Sequence, residues 1–310
     1  MPPTARYRNN RSMAAHAKTK RSSALPKVPV HALVLTSISS VQVGAAWATT
    51  IFHEVGASGA CLLRLASASL VLVALGRPNI RAFSRRQWLW AVTLGLVLAA
   101  MNLSFYHAIS RIPLGTAVTI EFIGPLLVAL AGSRRLRDLI WAVLAATGIV
   151  ALCHGIGSGT DATGLILAGI AGLMWAAYIL VQAQVGKTFA DGSGLALAMV
   201  AGTLAALPLG VSAGASRLLL PGTLAIGVAV GMLSSAIPYS LELRALRRLS
   251  TATFGVLMSL EPAVAALAGA AVIGQAITLR DALGIGLVCV ASLGASLTSR
   301  TPPEPLNPAA

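Results

Sequence analysis

Residues Ala108 to Gly132 and Ala245 to Gly269 are two versions of one segment. AISRIPLGTAVTIEFIGPLLVALAG and ALRRLSTATFGVLMSLEPAVAALAG share eight identities at a constant offset, with Arg111 over Arg248 and Pro125 over Pro262. Unrelated segments equally rich in Ala and Leu share roughly three. Each copy is soon followed by Leu-Arg-Asp, at Leu136 to Asp138 and Leu279 to Asp281, and Gly44 to Ala48 resembles Gly172 to Ala176, each with a tryptophan. The duplication covers most of the chain and requires a fold built from two similar halves.

Those halves are too apolar for water. Of 310 residues, 56% are hydrophobic and 10% charged, far too little polar surface to cover a soluble globule of this size. A helix needs about twenty apolar residues to cross about 30 Å of hydrocarbon. Runs of that length predict ten helices, near 28–52, 57–76, 88–109, 113–132, 138–154, 162–185, 193–213, 221–243, 250–274 and 281–299. At Ile109 to Pro113 and Leu246 to Ser250 only a few polar residues part consecutive runs, which predicts hairpins.

A net charge of +14 and an isoelectric point near 11.2 are compatible with nucleic-acid binding until the charges are placed on this map. With the N-terminus in the cytoplasm, 19 of the 23 Lys and Arg fall on cytoplasmic segments, and only Arg111, Arg217 and Arg280 fall outside. This is the positive-inside bias, so the charge reports topology, no nucleic-acid partner is expected, and both termini are predicted cytoplasmic. Five helices per half is an odd number, so the second half enters the membrane from the opposite side. The expected fold is all-α integral membrane: ten transmembrane helices as two inverted five-helix repeats around a central cavity, residues 28–155 and 162–299. Residues 1–27 and 300–310 are expected to be disordered cytoplasmic tails, the first basic and drawn to anionic headgroups; a transit peptide or a start at Met13 are alternatives for it.

Cys61, Cys153 and Cys289 lie inside predicted helices with no metal-binding spacing and are read as small core residues. His31, His53, His107 and His154 have no second ligand at helical spacing, so no metal is expected. Gly227 and Gly231 form a GxxxG, which with Gly169, Gly172, Ala263 and Ala266 is read as close helix packing. Ser/His, paired Asp and HExxH constellations are not seen within the helices, so the chain is not expected to be an enzyme.

Charged groups inside hydrocarbon are costly unless they face a cavity or a partner, and four are predicted here: Arg64, Glu121, Glu242 and Glu261. Glu121 lies one turn before Pro125, which removes a backbone hydrogen bond and kinks the helix beside the carboxylate. Such a site can bind an ammonium group or a proton; the alternative is a Glu that only fixes packing. Glu261 with Pro262 repeats the arrangement three positions closer to the proline. Glu242 closes the stretch SSAIPYSLE, where Tyr239 shares its face, and either serves the transport path or reaches to the interface near Arg244. Arg64 is expected to pair with a membrane carboxylate. Trp47, Trp175 and Tyr178 lie within helices rather than at their ends, lining a cavity or packing in the core. Asn102 and Tyr106, four apart, offer polar groups on one face.

Two of these stretches, MNLSFYHAISRIPLGTAVTIEFIGPLLVAL (Met101 to Leu130) and SSAIPYSLELRALRRLSTATFGVLMSLEPAVAALAG (Ser234 to Gly269), resemble the drug/metabolite transporter superfamily with EamA repeats. Within it they are most similar to threonine and homoserine exporters of the RhtA type. The resemblance covers residues 30 to 298. It implies a basket of ten helices, a cavity lined by the third, fourth, eighth and ninth, and export of amino acids in exchange for protons, with no cofactor. It places Asn102, Tyr106, Glu121, Tyr239, Glu242 and Glu261 at or near the substrate path. One departure stands out: the ninth helix of the family often closes on a glycine and an acid, whereas Gly274 is followed here by Gln275.

The expectation is a multi-pass secondary transporter of the bacterial inner membrane, monomer or homodimer, that exports small amino acids by alternating access, with Glu121 or Glu261 carrying the coupling proton. The alternative is transport of another small metabolite, such as an aromatic amino acid, a drug or a purine, which Trp47, Trp175 and Tyr178 favour.

Overall fold

The computed structural model describes residues 29–78, 81, 83–131, 138–154, 161–189, 192–246 and 257–298. Both tails lie outside these residues, as do Met13, Arg134, Arg135, Arg137, Arg248 and Arg300. Within the described residues each of the ten predicted intervals carries helix. The helices are α1 (Val30–Ala48), α2 (Phe52–Gly76), α3 (Arg85–Ile109), α4 (Leu114–Glu121), α5 (Ile123–Ala131), α6 (Asp138–His154), α7 (Ala162–Thr188), α8 (Ser193–Gly214), α9 (Pro221–Gly231), α10 (Ile237–Leu246), α11 (Glu261–Ile273) and α12 (Leu279–Thr298). Among the described residues, four stretches are long and apolar enough to cross a membrane: Val30–Gly76, Arg85–Ile109, Ala162–Thr188 and Ser193–Leu219.

Local chemistry sets the boundaries. The run from Val30 to Gly76 is broken by a 3₁₀ turn at Thr49–Ile51 and by Gly56, whose φ of 68° and ψ of 169° suit only glycine, so it divides into two helices. Ser84 and Gln87 cap each other's backbone N–H at the start of α3, a capping box. Asp161 accepts the Gly164 N–H at 3.2 Å to open α7. Gly274 (φ 68°) closes α11 in the left-handed conformation.

Two of the predicted helices are interrupted where the sequence carries proline. In the fourth, α4 ends at Glu121 and α5 begins at Ile123, four and two residues before the matched Pro125. In the ninth, helix at Leu257 and Met258 gives way to a turn at Ser259 and Leu260 before α11 starts at Glu261. Each proline withholds the N–H that the residue four before it would need, so both breaks fall at equivalent places. The eighth predicted helix is interrupted differently, by a π-helical turn at Met232–Ala236 between α9 and α10.

Helices of one half pack on helices of the other. α1 lies against α9, α10 and α11, while α7 lies against α3, α4 and α5; α2 meets α8, α6 meets α12, and α4 meets α11. Small residues permit the closest crossings. A Cβ on Gly227 would meet Leu63, one on Gly231 would meet Ser67, and one on Gly172 would meet the Glu121 carbonyl, so the close-packing role read for these glycines holds. The largest buried apolar cluster joins residues of α1, α2, α3, α4, α7, α8, α9 and α11. Cys61 is fully buried within it, Cys289 is half-buried, and the Cys153 side chain lies outside the described residues.

Candidate functional site

The buried polar side chains gather where the broken helices meet α1 and α2. Glu261 opens α11, and its Oε1 accepts a hydrogen bond from Gln42 Nε2 of α1 at 2.9 Å. Glu242 of α10 accepts from Ser37 Oγ at 2.7 Å, five residues earlier on α1. Ser40 donates to the Leu233 carbonyl at 2.7 Å, where the π-turn begins. One helix therefore holds both carboxylates of the second half and the irregular backbone between them.

Arg64 of α2 reaches the same irregular backbone. Its Nη2 donates to the Ser234 carbonyl at 3.1 Å and its Nε faces Ser235 Oγ at 3.5 Å. Four residues on, Pro238 has no N–H to give that carbonyl, so the guanidinium takes a place the helix leaves open. Arg64 Cζ also stands 5.6 Å from the Tyr106 ring centroid, a cation–π contact. The contacts described for Arg64 include a carbonyl, a hydroxyl and an aromatic face. Glu121 is the acid within electrostatic reach of Arg64, and it is also within reach of Glu261.

The remaining candidates separate. Glu121 is 8% exposed at the end of α4, with its carbonyl against Gly172 of α7. Pro125 lies on α5, and Pro262 is buried in the first turn of α11. Tyr106 is fully buried, its ring 5.7 Å from Phe52. Asn102 is buried, and its Nδ2 donates one hydrogen to the Leu98 carbonyl of its own helix at 2.8 Å, which leaves a second N–H and Oδ1. Trp175 packs edge-on against Phe122, next to Glu121, with centroids 5.3 Å apart, and Tyr178 packs beside the main apolar cluster. Trp47 is 39% exposed and so belongs to no core. Glu242 is half-buried with its carboxylate bound to Ser37, and the Tyr239 and Arg244 side chains lie outside the described residues.

Ser37 and Gln42 were missed from sequence. Their signal is the polar run SISSVQ within an apolar helix, whose Ser37 and Gln42 are 0% and 2% exposed. Among the described residues, no group of three His, Cys, Asp or Glu side chains is placed to hold a metal ion.

Three further contacts join the halves. Arg111 Nη1 and Asp161 Oδ2 are 2.7 Å apart, Thr223 Oγ1 donates to Glu54 Oε2 at 2.6 Å, and the Leu114 N–H donates to Gln275 Oε1 at 3.0 Å. The hydrogen bond from Arg111 holds the Asp161 carboxyl below the usual range.

Comparison with known proteins agrees with this arrangement. The EamA-like transporter family profile matches residues 162–297. The threonine/homoserine exporter RhtA of Salmonella typhimurium strain LT2 is 41% identical over 275 residues, 88% of this chain and 92% of that one. The chain belongs to the EamA-like transporter family. The threonine/homoserine exporter RhtA of Escherichia coli K12 is 40% identical over 282 residues, covering 89% and 95% of the two chains. A solved crystal structure of a protein 16% identical superposes with a TM-score of 0.62 over 87% of this EamA chain and 98% of the other, which shows the shared fold. The relatives are transporters, and this EamA protein is not an enzyme.

Proposed function

We propose that this protein exports small amino acids of the threonine and homoserine type from the cytoplasm across the bacterial inner membrane, by alternating access coupled to proton entry. The observation that carries the reading is the union of 41% identity to a threonine/homoserine exporter with a buried carboxylate on each side of the junction between halves, Glu121 and Glu261. The chain crosses the membrane ten times as two inverted repeats, with both termini in the cytoplasm. Supporting this is the reciprocity of the packing: the first helix of each half lies on the broken helices of the other, and α2 meets α8 as its counterpart.

The mechanism follows from the breaks. Charged groups at such depth are stable only against partners or in a cavity, and broken helices supply carbonyls and dipole ends for a polar substrate. As the halves rock, Glu121 and Glu261 face the two sides in turn; a proton taken from outside is released inside when substrate occupies the site. Contacts at the Arg111 end close the outer side while substrate is loaded.

The test is homoserine uptake into inverted membrane vesicles driven by a proton gradient. Uptake is expected in vesicles with the wild-type protein, and loss of gradient dependence in Glu121→Gln or Glu261→Gln. Unchanged coupling in both variants would sink the carboxylate assignment.

A further inference from the structure

Gln42 and Glu261 leave two acceptors without donors. The carboxamide must turn its NH₂ toward the carboxylate, because the reversed amide would set Oε1 against Glu261 Oε1, acceptor against acceptor. That fixes Gln42 Oε1 away from the contact. Neither it nor Glu261 Oε2 has a hydrogen-bond partner among the described residues, although both atoms are sealed from solvent and their residues are only 2% and 6% exposed. An unmatched buried acceptor costs about 1–3 kcal/mol, so two of them joined through one hydrogen bond form a place that a donor group stabilises.

We propose that Gln42 Oε1 and Glu261 Oε2 together form the receptor for the primary ammonium group of the transported molecule, with Gln42 setting the selectivity for an amine. This rests on the amino-acid reading above and deepens it. The group required has several N–H donors and a positive charge, and must be compact enough to touch both oxygens at once. An ammonium satisfies all three conditions. Hydroxyl groups lack the charge.

The site is single although the fold is duplicated. In the register that sets Gly44 over Gly172, Gln42 falls on Ile170, whose side chain is 39% exposed and carries no polar atom. Glu121 receives no side-chain hydrogen bond among the described residues. Only the α1 side of the molecule therefore offers a carboxylate with an amide beside it. The protein should hold one amine per chain.

The test is thermal stabilisation of the solubilised full-length protein by three ligands: threonine, 1-aminopropan-2-ol, which lacks its carboxylate, and 3-hydroxybutyrate, which lacks its amine. In wild type the two amines are expected to stabilise at far lower concentration than 3-hydroxybutyrate. Gln42→Leu should raise the concentration required for both amines about ten- to a hundredfold, the loss of one charge-assisted hydrogen bond. It should leave the response to 3-hydroxybutyrate in place. Gln42→Glu keeps an acceptor and is expected to keep the preference for amines. If Gln42→Leu does not fold, Gln42→Met removes the same acceptor.

An equal loss for all three ligands, or no loss, would overturn the proposal, and so would Gln42-dependent stabilisation by sodium chloride but not choline chloride. If threonine and homoserine fail on wild type while 1-aminopropan-2-ol stabilises it through Gln42, the amine receptor stands and the threonine-type export reading falls. If no amine stabilises the wild type, the receptor itself is excluded.

Discussion

The Arg64 guanidinium donates to the Ser234 carbonyl at 3.1 Å, and that carbonyl is open because Pro238 sits four residues later with no N–H. Pro238→Ala would return a helical donor to Ser234 and set backbone and guanidinium in competition. Proline inside a helix costs about 3 kcal/mol relative to alanine, part of which the π-turn already relieves. The expected outcome is a variant about 1–2 kcal/mol more stable that exports at least several-fold more slowly, because Arg64 loses its sole claim on that carbonyl. Unfolding midpoints in detergent and export rates in cells check the two halves of the prediction.

The ion pair of Arg111 and Asp161 lies 42% and 32% exposed and ties the loop before α4 to the start of α7. Its contribution is best read through pH rather than energy, since exposed pairs are screened. The folded carboxyl is held below its ordinary value by the Arg111 hydrogen bond. Its contribution is therefore complete above the unfolded value, near 3.9, and is lost only as the outer pH falls through the lower folded value. Outer-face closure should be insensitive to pH between about 5 and 8. Asp161→Asn should raise the labelling rate of a cysteine placed below the pair at neutral pH, measured with a membrane-impermeant thiol reagent.

Gln275 follows the glycine that closes α11, and its Oε1 accepts the first N–H of α4 at 3.0 Å. The amide supplies an acceptor without a charge. A carboxylate there would meet the positive end of the α4 dipole, so Gln275→Glu is expected to be neutral or to stabilise by a few tenths of a kcal/mol. Gln275→Leu leaves the N–H without that partner and should cost about 1 kcal/mol. Chemical or thermal unfolding of the purified variants distinguishes the two.

Helix positions were legible in the sequence because a membrane makes apolar length decisive: ten intervals read from hydropathy all carry helix within the described residues. The breaks were legible too, because proline acts locally, and Phe122 and Ser259 interrupt their helices at matched positions. Partner choice was not. Glu121 stands one residue before its break and Glu261 two after, so equivalent prolines present acids to different neighbours. Arg64 was expected to find a carboxylate, and among its described contacts is also the Ser234 carbonyl on another helix, which no spacing announces. Asn102 binds the Leu98 carbonyl of its own helix with one amide hydrogen, a contact that no sequence pattern announces. Gln42 and Ser37 escaped notice because uncharged polar residues in a membrane helix carry meaning only through what lies opposite them, and that depends on tertiary packing.

The tightest of those packings tests how far Glu121 depends on its neighbour. A Cβ on Gly172 would stand 2.8 Å from the Glu121 carbonyl, closer than real Cβ atoms approach backbone oxygen, while one on Gly169 in the same helix would meet nothing within 4 Å. Gly172→Ala must push α7 away from the α4–α5 break, and overpacking of this kind costs about 1–3 kcal/mol. Gly169→Ala removes only the conformational freedom of glycine and should be neutral or slightly stabilising. The thermal midpoint should therefore fall in Gly172→Ala and not in Gly169→Ala. Because the displaced element carries Glu121, proton-coupled uptake should fall in Gly172→Ala by more than the loss of folded protein explains. Equal uptake per folded molecule in the two variants would detach the carboxylate from the α7 crossing and leave Glu261 as the sole candidate for the coupled proton.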